Sequence, residues 1–123
     1  MKAVASVVMN RVRVTTGQYL RDGQGDLRRI IEAPYEFTCL LTEVYGEVNL
    51  QNVYNISPNQ MSYDIADWAI AGNVLQGAVD CLWYMNPFVP NCPPNFPYNK
   101  SGSFFNRIGE HCFYQPTELY AQT

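Results

Sequence analysis

Apolar residues recur at the start of the chain as Val4, Val7, Val8 and Val12. That spacing predicts an amphipathic helix over Lys2 to Val14, with Asn10, Arg11 and Arg13 elsewhere on the wheel. No Ser, Thr, Asp or Asn precedes it as an N-cap, so the pattern predicts a helix that continues upstream of Met1. A polar, glycine-bearing stretch from Thr15 to Gly25 leads to Asp26, a predicted cap for a short helix through Leu27, Ile30 and Ile31 that Pro34 stops. Between Tyr35 and Val53, aromatic and β-branched residues mix with Gly46 and Asn49, which predicts a small irregular β-hairpin region.

Ser57-Pro58 has the form of a helix start, Ser as cap and Pro in the first turn. The predicted helix runs from Pro58 to about Gln76, with Met61, Ile65, Trp68 and Leu75 on one face and Gly77 as the stop. Ile65 and Trp68 are expected to be buried, and Gly72 to mark a close contact with another helix. The run Cys81-Leu82-Trp83-Tyr84-Met85 predicts a short buried strand. From Asn86 to Gly102 five prolines and several asparagines predict a long functional loop, and Ser103 to Tyr114 returns to aromatic character.

At 123 residues and 14.0 kDa, these elements make one domain, 1–123, of α+β class. Only 15% of residues are charged, the net charge is −3 and eight residues are basic, which excludes nucleic acid as the main partner. A surface leaning on Asn, Gln, Ser, Thr and Tyr suits neutral, hydroxyl-rich ligands. No apolar run approaches the roughly 20 residues a membrane span needs, and residues 1–14 do not form a signal peptide. Synthesis in the cytoplasm is the expectation.

Cys39, Cys81, Cys92 and Cys112 show no C-x-x-C spacing, so neither a metal nor a cofactor is expected, although His111 stands beside Cys112. Four cysteines allow three disulfide pairings, among which the spacing does not choose. Free buried thiols in a reducing compartment are the expectation.

Candidate chemistry lies in three aromatic–polar clusters: Tyr35 to Thr38, Trp83 to Phe88, and Arg107 to Tyr114. Such mixtures line sugar sites, where aromatic faces stack on a pyranose and amides and hydroxyls bond its edge, but they also build small cores. Glu36 beside Phe37 is a candidate carboxylic acid for glycoside cleavage. His111 is the single histidine, and its expected role is structural.

Four segments, in order, resemble one family. Ala3 to Val12 resembles the "AVAxVxxNRV" signature of the SleB/CwlJ-type cell-wall hydrolases, the spore cortex-lytic enzymes of germination. Ile30-Ile31 followed by Glu36-Phe37-Thr38 resembles the family's "VI…qFs/t", Leu82 to Pro87 its "alyyfNP", and Arg107 to Tyr114 its "rIGxHxFy". The resemblance implies a lysozyme-like, helix-rich fold and cleavage of peptidoglycan glycan strands by a single glutamate, in the manner of lysozyme or a lytic transglycosylase. It places that glutamate in a segment ahead of Met1, so the catalytic residue is expected upstream, the activity of residues 1–123 is expected to be impaired, and Glu36 is the fallback. It also implies that Glu36, Phe37, Thr38, Tyr84 and Asn86 line one groove facing the N-terminal end of the first helix. His111 and Tyr114 are expected near it in structural roles, the His111 ring held by a backbone carbonyl. Spore association and a spore-coat or germination protein partner are further implications. The alternative is a catalytically inactive peptidoglycan-binding or scaffold module.

Overall fold

The computed structural model describes residues 1–33, 36–37, 43–44, 46–48 and 57–123. Helix α1 (Lys2–Arg13) forms where the apolar spacing predicts it, with no side-chain cap at Met1. Helix α2 (Gly17–Gly23) begins after Thr16, and α3 (Leu27–Glu32) begins after Asp26, whose carboxylate accepts the Arg28 N–H at 2.9 Å. Ala33, which ends α3, is extended, as the residue before a proline should be. Within the expected hairpin span, β1 (Glu43–Val44) pairs antiparallel with β2 (Glu47–Val48).

Helix α4 is shorter than the pattern predicts. It spans Gln60–Ile70, and its cap is Asn59, not Ser57: the Asn59 side chain accepts the Ser62 N–H. Gly72 adopts φ +102, a conformation glycine reaches without penalty, and so terminates the helix instead of packing inside it. Ile65 and Trp68 are only half-buried, contrary to expectation. Ala69 is the residue α4 buries, because the helix lies along the outside of α1, where the Lys2 ammonium sits 5.1 Å from the Trp68 ring centre.

A 3₁₀ turn (Gln76–Ala78) leads to β3 (Trp83–Met85), the predicted buried strand. Strand β4 (Gly102–Ile108) and β5 (His111–Pro116) form a hairpin through Gly109, at φ +59. The sheet order is β3-β5-β4, all antiparallel, with Trp83 opposite Tyr114 and Met85 opposite Cys112. The central strand is covered on both faces. Cys112 and Tyr114 join Tyr19, Ile30, Leu82 and Trp83 on one side, and Phe113 joins Ala3, Val7, Ala78 and Cys81 on the other. A second 3₁₀ turn (Glu118–Gln122) packs Tyr120 against α2.

The expectation of free thiols fails for two cysteines: Cys92 and Cys112 form a disulfide with Cα atoms 5.9 Å apart. The loop after β3 folds back over β5, where the Tyr114 hydroxyl donates to the Pro93 carbonyl at 2.7 Å, and this brings the two cysteines into register. Cys81 is a buried free thiol, and Cys39 lies outside the described residues.

Candidate functional site

The site is built around Arg11. Asn10 and Arg11, placed off the apolar stripe by the sequence pattern, are both buried. Their side chains satisfy carbonyls that the chain leaves bare on its way into β3. Asn10 Nδ2 donates to Ala78 and Cys81, and Arg11 Nε donates to Leu82 at 2.7 Å. Burial of these polar groups is tolerable because each is paired. Arg11 Nη1 then reaches Glu36 Oε2 at 3.2 Å, with the two side chains 7% and 23% exposed. The guanidinium lies over two rings, 4.4 Å from the centre of Tyr19 and 5.7 Å from that of Phe37.

Around this pair opens a pocket of about 380 Å³. Tyr19, Phe37, Trp83, Tyr84 and Phe96 supply aromatic walls, with Gln18 and Pro97 at the margin. Burial pushes the Tyr19 hydroxyl up to about 12, against the pull of the Arg11 charge, so it stays protonated and can donate. A second hollow shares Gln18 and Glu36 with the first and continues to Asp22, Arg29 and Glu32. Together they form an open groove of mixed aromatic and polar lining.

Of the residues expected to line one groove, Glu36, Phe37 and Tyr84 come together here, and Thr38 lies outside the described residues. Asn86 does not join them. Its Oδ1 accepts the Phe88 N–H at 2.8 Å in a turn where Phe88 takes φ +57, and this turns Asn86 into a separate hollow beside Phe88, Arg107 and Glu110. The pocket also lies at the C-terminal half of α1, where Arg11 sits, and not at the N-terminal end as expected. His111 packs edge-on against the Tyr84 ring, centroids 5.7 Å apart, and among the described residues no backbone carbonyl holds it. Tyr114 is buried on the central strand beneath the pocket wall, its ring 5.7 Å from that of Phe96 and its hydroxyl on Pro93. Residue-level reasoning missed Arg11, Tyr19 and Phe96. For Arg11 the available signal was the Asn-Arg pair inside the matching first segment.

Among the described residues, no cluster of three or more His, Cys, Asp or Glu side chains is placed to hold a metal ion, and no helix is long and apolar enough to cross a membrane. Comparison with curated proteins finds no significant match. Among solved structures, the chain is similar to the catalytic domain of the germination-specific lytic transglycosylase SleB from Bacillus anthracis. The TM-score is 0.60 at 23% identity, over 93% of this chain and 76% of that one, which shows a shared lysozyme-like α+β fold. In sequence, residues 1–114 match the family described as Cell Wall Hydrolase. With that match over most of its length, the chain belongs to the cell wall hydrolase family.

Proposed function

We propose that the Arg11–Glu36 pocket and the hollow beside it hold a peptidoglycan glycan strand, and that the domain serves its cleavage at a bond between muramyl and N-acetylglucosaminyl units. The observation that carries this is the convergence of aromatic walls on a buried, hydrogen-bonded ion pair in a chain of this family. The partly exposed rings of Phe37, Tyr84 and Phe96 offer stacking faces, while Gln18 and the ion pair offer edge partners. Glu36 is the carboxylate in the pocket, and the Arg11 fork engages it as an acceptor. We therefore give it a holding role and leave protonation of the glycosidic oxygen to the glutamate that the resemblance places in the segment leading into α1. The similar SleB domain is described as germination-specific, which supports a spore-associated role, and the Cys92–Cys112 disulfide fits an oxidising location.

That same ion pair favours a second reading, a module that binds glycan without cutting it. Purified cortex or vegetative peptidoglycan separates the two. Residues 1–123 should co-sediment with peptide-stripped glycan strands and lose most of that binding in Tyr84→Ala. They should release few muropeptides on their own, and a polypeptide that includes the acid-bearing segment should release them readily, with anhydro ends marking the transglycosylase outcome. Failure to bind strands at all would overturn the glycan assignment. Robust release by residues 1–123 that Glu36→Gln abolishes would make Glu36 the acid.

A further inference from the structure

We infer that the hollow beside Asn86 holds the peptide stem of a strand whose sugars lie in the aromatic pocket, with Arg107 as the seat of a stem carboxylate. The inference rests on the glycan reading above and adds a second site, for a different part of the polymer.

The two hollows are neighbours. Tyr84 lines the aromatic pocket and Asn86 lines the other, and the Cα atoms of residues two apart are separated by at most about 7.6 Å. On the adjoining strand His111 packs against the Tyr84 ring, and Glu110, the residue before it, lines the second hollow. A stem hangs from the lactyl ether of a muramyl unit and, extended, covers about 3.3 Å per residue, so a few of its residues bridge that separation.

Their chemistry differs. The aromatic pocket closes its ion pair internally, whereas the second hollow, of about 310 Å³, keeps its opposite charges apart. Arg107 Nε donates to the Gly109 carbonyl at 3.2 Å, and Nη1 donates to the Pro90 carbonyl at 2.6 Å and to that of Val89 at 3.2 Å. Neutral acceptors thus fix the guanidinium, yet among the described residues neither Arg107 nor Glu110 has an ion-pair partner. A cation already held in place loses little freedom when an anion arrives. Apolar surface stands beside these charges, Phe88 being 88% and Val89 54% exposed. A peptide stem supplies the missing partners: carboxylates for Arg107, the ammonium of a diamino acid for Glu110, and aliphatic carbons for Phe88 and Val89. A neutral sugar supplies neither charge, and a simple anion meets the Glu110 carboxylate with nothing to offer it.

The test is calorimetry of residues 1–123 at about 0.15 M salt, with soluble strands that carry tetrapeptide stems and with the same strands after an amidase has removed them. Stems are net acidic, as the protein is, so overall charge attraction cannot produce a preference for them. Wild type should bind the stem-bearing strands about five- to tenfold more tightly, the scale of one charge-assisted hydrogen bond. Phe88→Gly removes the ring while keeping a backbone that φ +57 suits, and it should remove most of that preference. In wild type, the free tetrapeptide of L-alanine, γ-D-glutamate, meso-diaminopimelate and D-alanine should shift the amide resonances of Phe88, Val89 and Glu110, a measurement that needs no variant to fold. Equal affinity for both kinds of strand in wild type would overturn the stem site and leave the glycan reading standing. A preference that survives Phe88→Gly, with no shift at those three amides, would overturn its placement in this hollow. Binding of stem-bearing strands and tetrapeptide, with none of stripped strands, would uphold the stem site and overturn the glycan reading.

Discussion

Arg11 Nε donates to the Leu82 carbonyl at 2.7 Å, across 71 positions of sequence, so the first helix is fastened to the start of β3 by a charged hydrogen bond in the interior. Arg11→Met strips the Leu82 carbonyl and Glu36 of their partner together. It should lower unfolding free energy by about 2 to 4 kcal/mol in urea titrations, the range for breaking a buried charged contact. Glu36→Gln, on the wetter side of the pair, should cost about 1 kcal/mol or less.

Reduction of the Cys92–Cys112 disulfide, or Cys92→Ser with Cys112→Ser, should destabilise the domain by about 3 kcal/mol, given the 20-residue separation of the two cysteines. Denaturation with and without a reductant measures it directly. Pocket binding should survive reduction in folded protein, because Phe96 N–H still donates to the Gly102 carbonyl and Tyr114 still holds Pro93.

Alkaline pH should unfold the protein in two overlapping stages. Burial raises the Cys81 thiol from 9.0 to about 12, and burial likewise raises the Tyr19 hydroxyl from 10.0 to about 12. Each group binds its proton more tightly folded than unfolded. Its contribution is therefore full below the unfolded value and is lost as pH rises from about 9 for Cys81, and from about 10 for Tyr19, towards 12. Each group loses at most about 1.4 kcal/mol per pH unit across its window. Melting temperature against pH reports it, and Cys81→Ala should remove the earlier stage.

Gly102→Ala should damage the pocket from behind. An added Cβ would strike the Phe96 carbonyl oxygen and come within 2.8 Å of the Trp83 ring, both belonging to residues that wall the pocket. Overpacking of this kind should cost about 1 to 3 kcal/mol, and glycan binding should fall even at temperatures where the variant stays folded.

Local signals carried much of the fold. The valine spacing gave α1, the Asp26 carboxylate gave the start of α3, and the aromatic run gave β3. Signals that depend on distant partners were hidden. Ser57-Pro58 is a good cap by composition, but Asn59 captures the Ser62 N–H, and only the backbone conformation of Gly72 reveals that it ends the helix. Arg11 looked like a solvent-facing charge because the carbonyl it satisfies lies 71 residues away. The site was legible in the same proportion. Glu36, Phe37 and Tyr84, which the resemblance puts in one groove, line one pocket, while Asn86 lies in a separate hollow because its Asx-type bond to Phe88 redirects the chain beyond Tyr84.

The second 3₁₀ turn closes against α2 from the far end of the sequence. The Tyr120 hydroxyl accepts the Tyr19 N–H, the Thr123 hydroxyl accepts the Gln18 N–H, and the Arg21 guanidinium donates to the Thr123 carbonyl. The first two bonds satisfy backbone donors that the first turn of α2 cannot pair internally. During translation, α2 therefore leaves the ribosome more than a hundred residues before its caps exist. Tyr19, one wall of the groove, can be held there only once that turn has been made, so in the order of synthesis the groove is completed after the β4–β5 hairpin and not with the helices that line it.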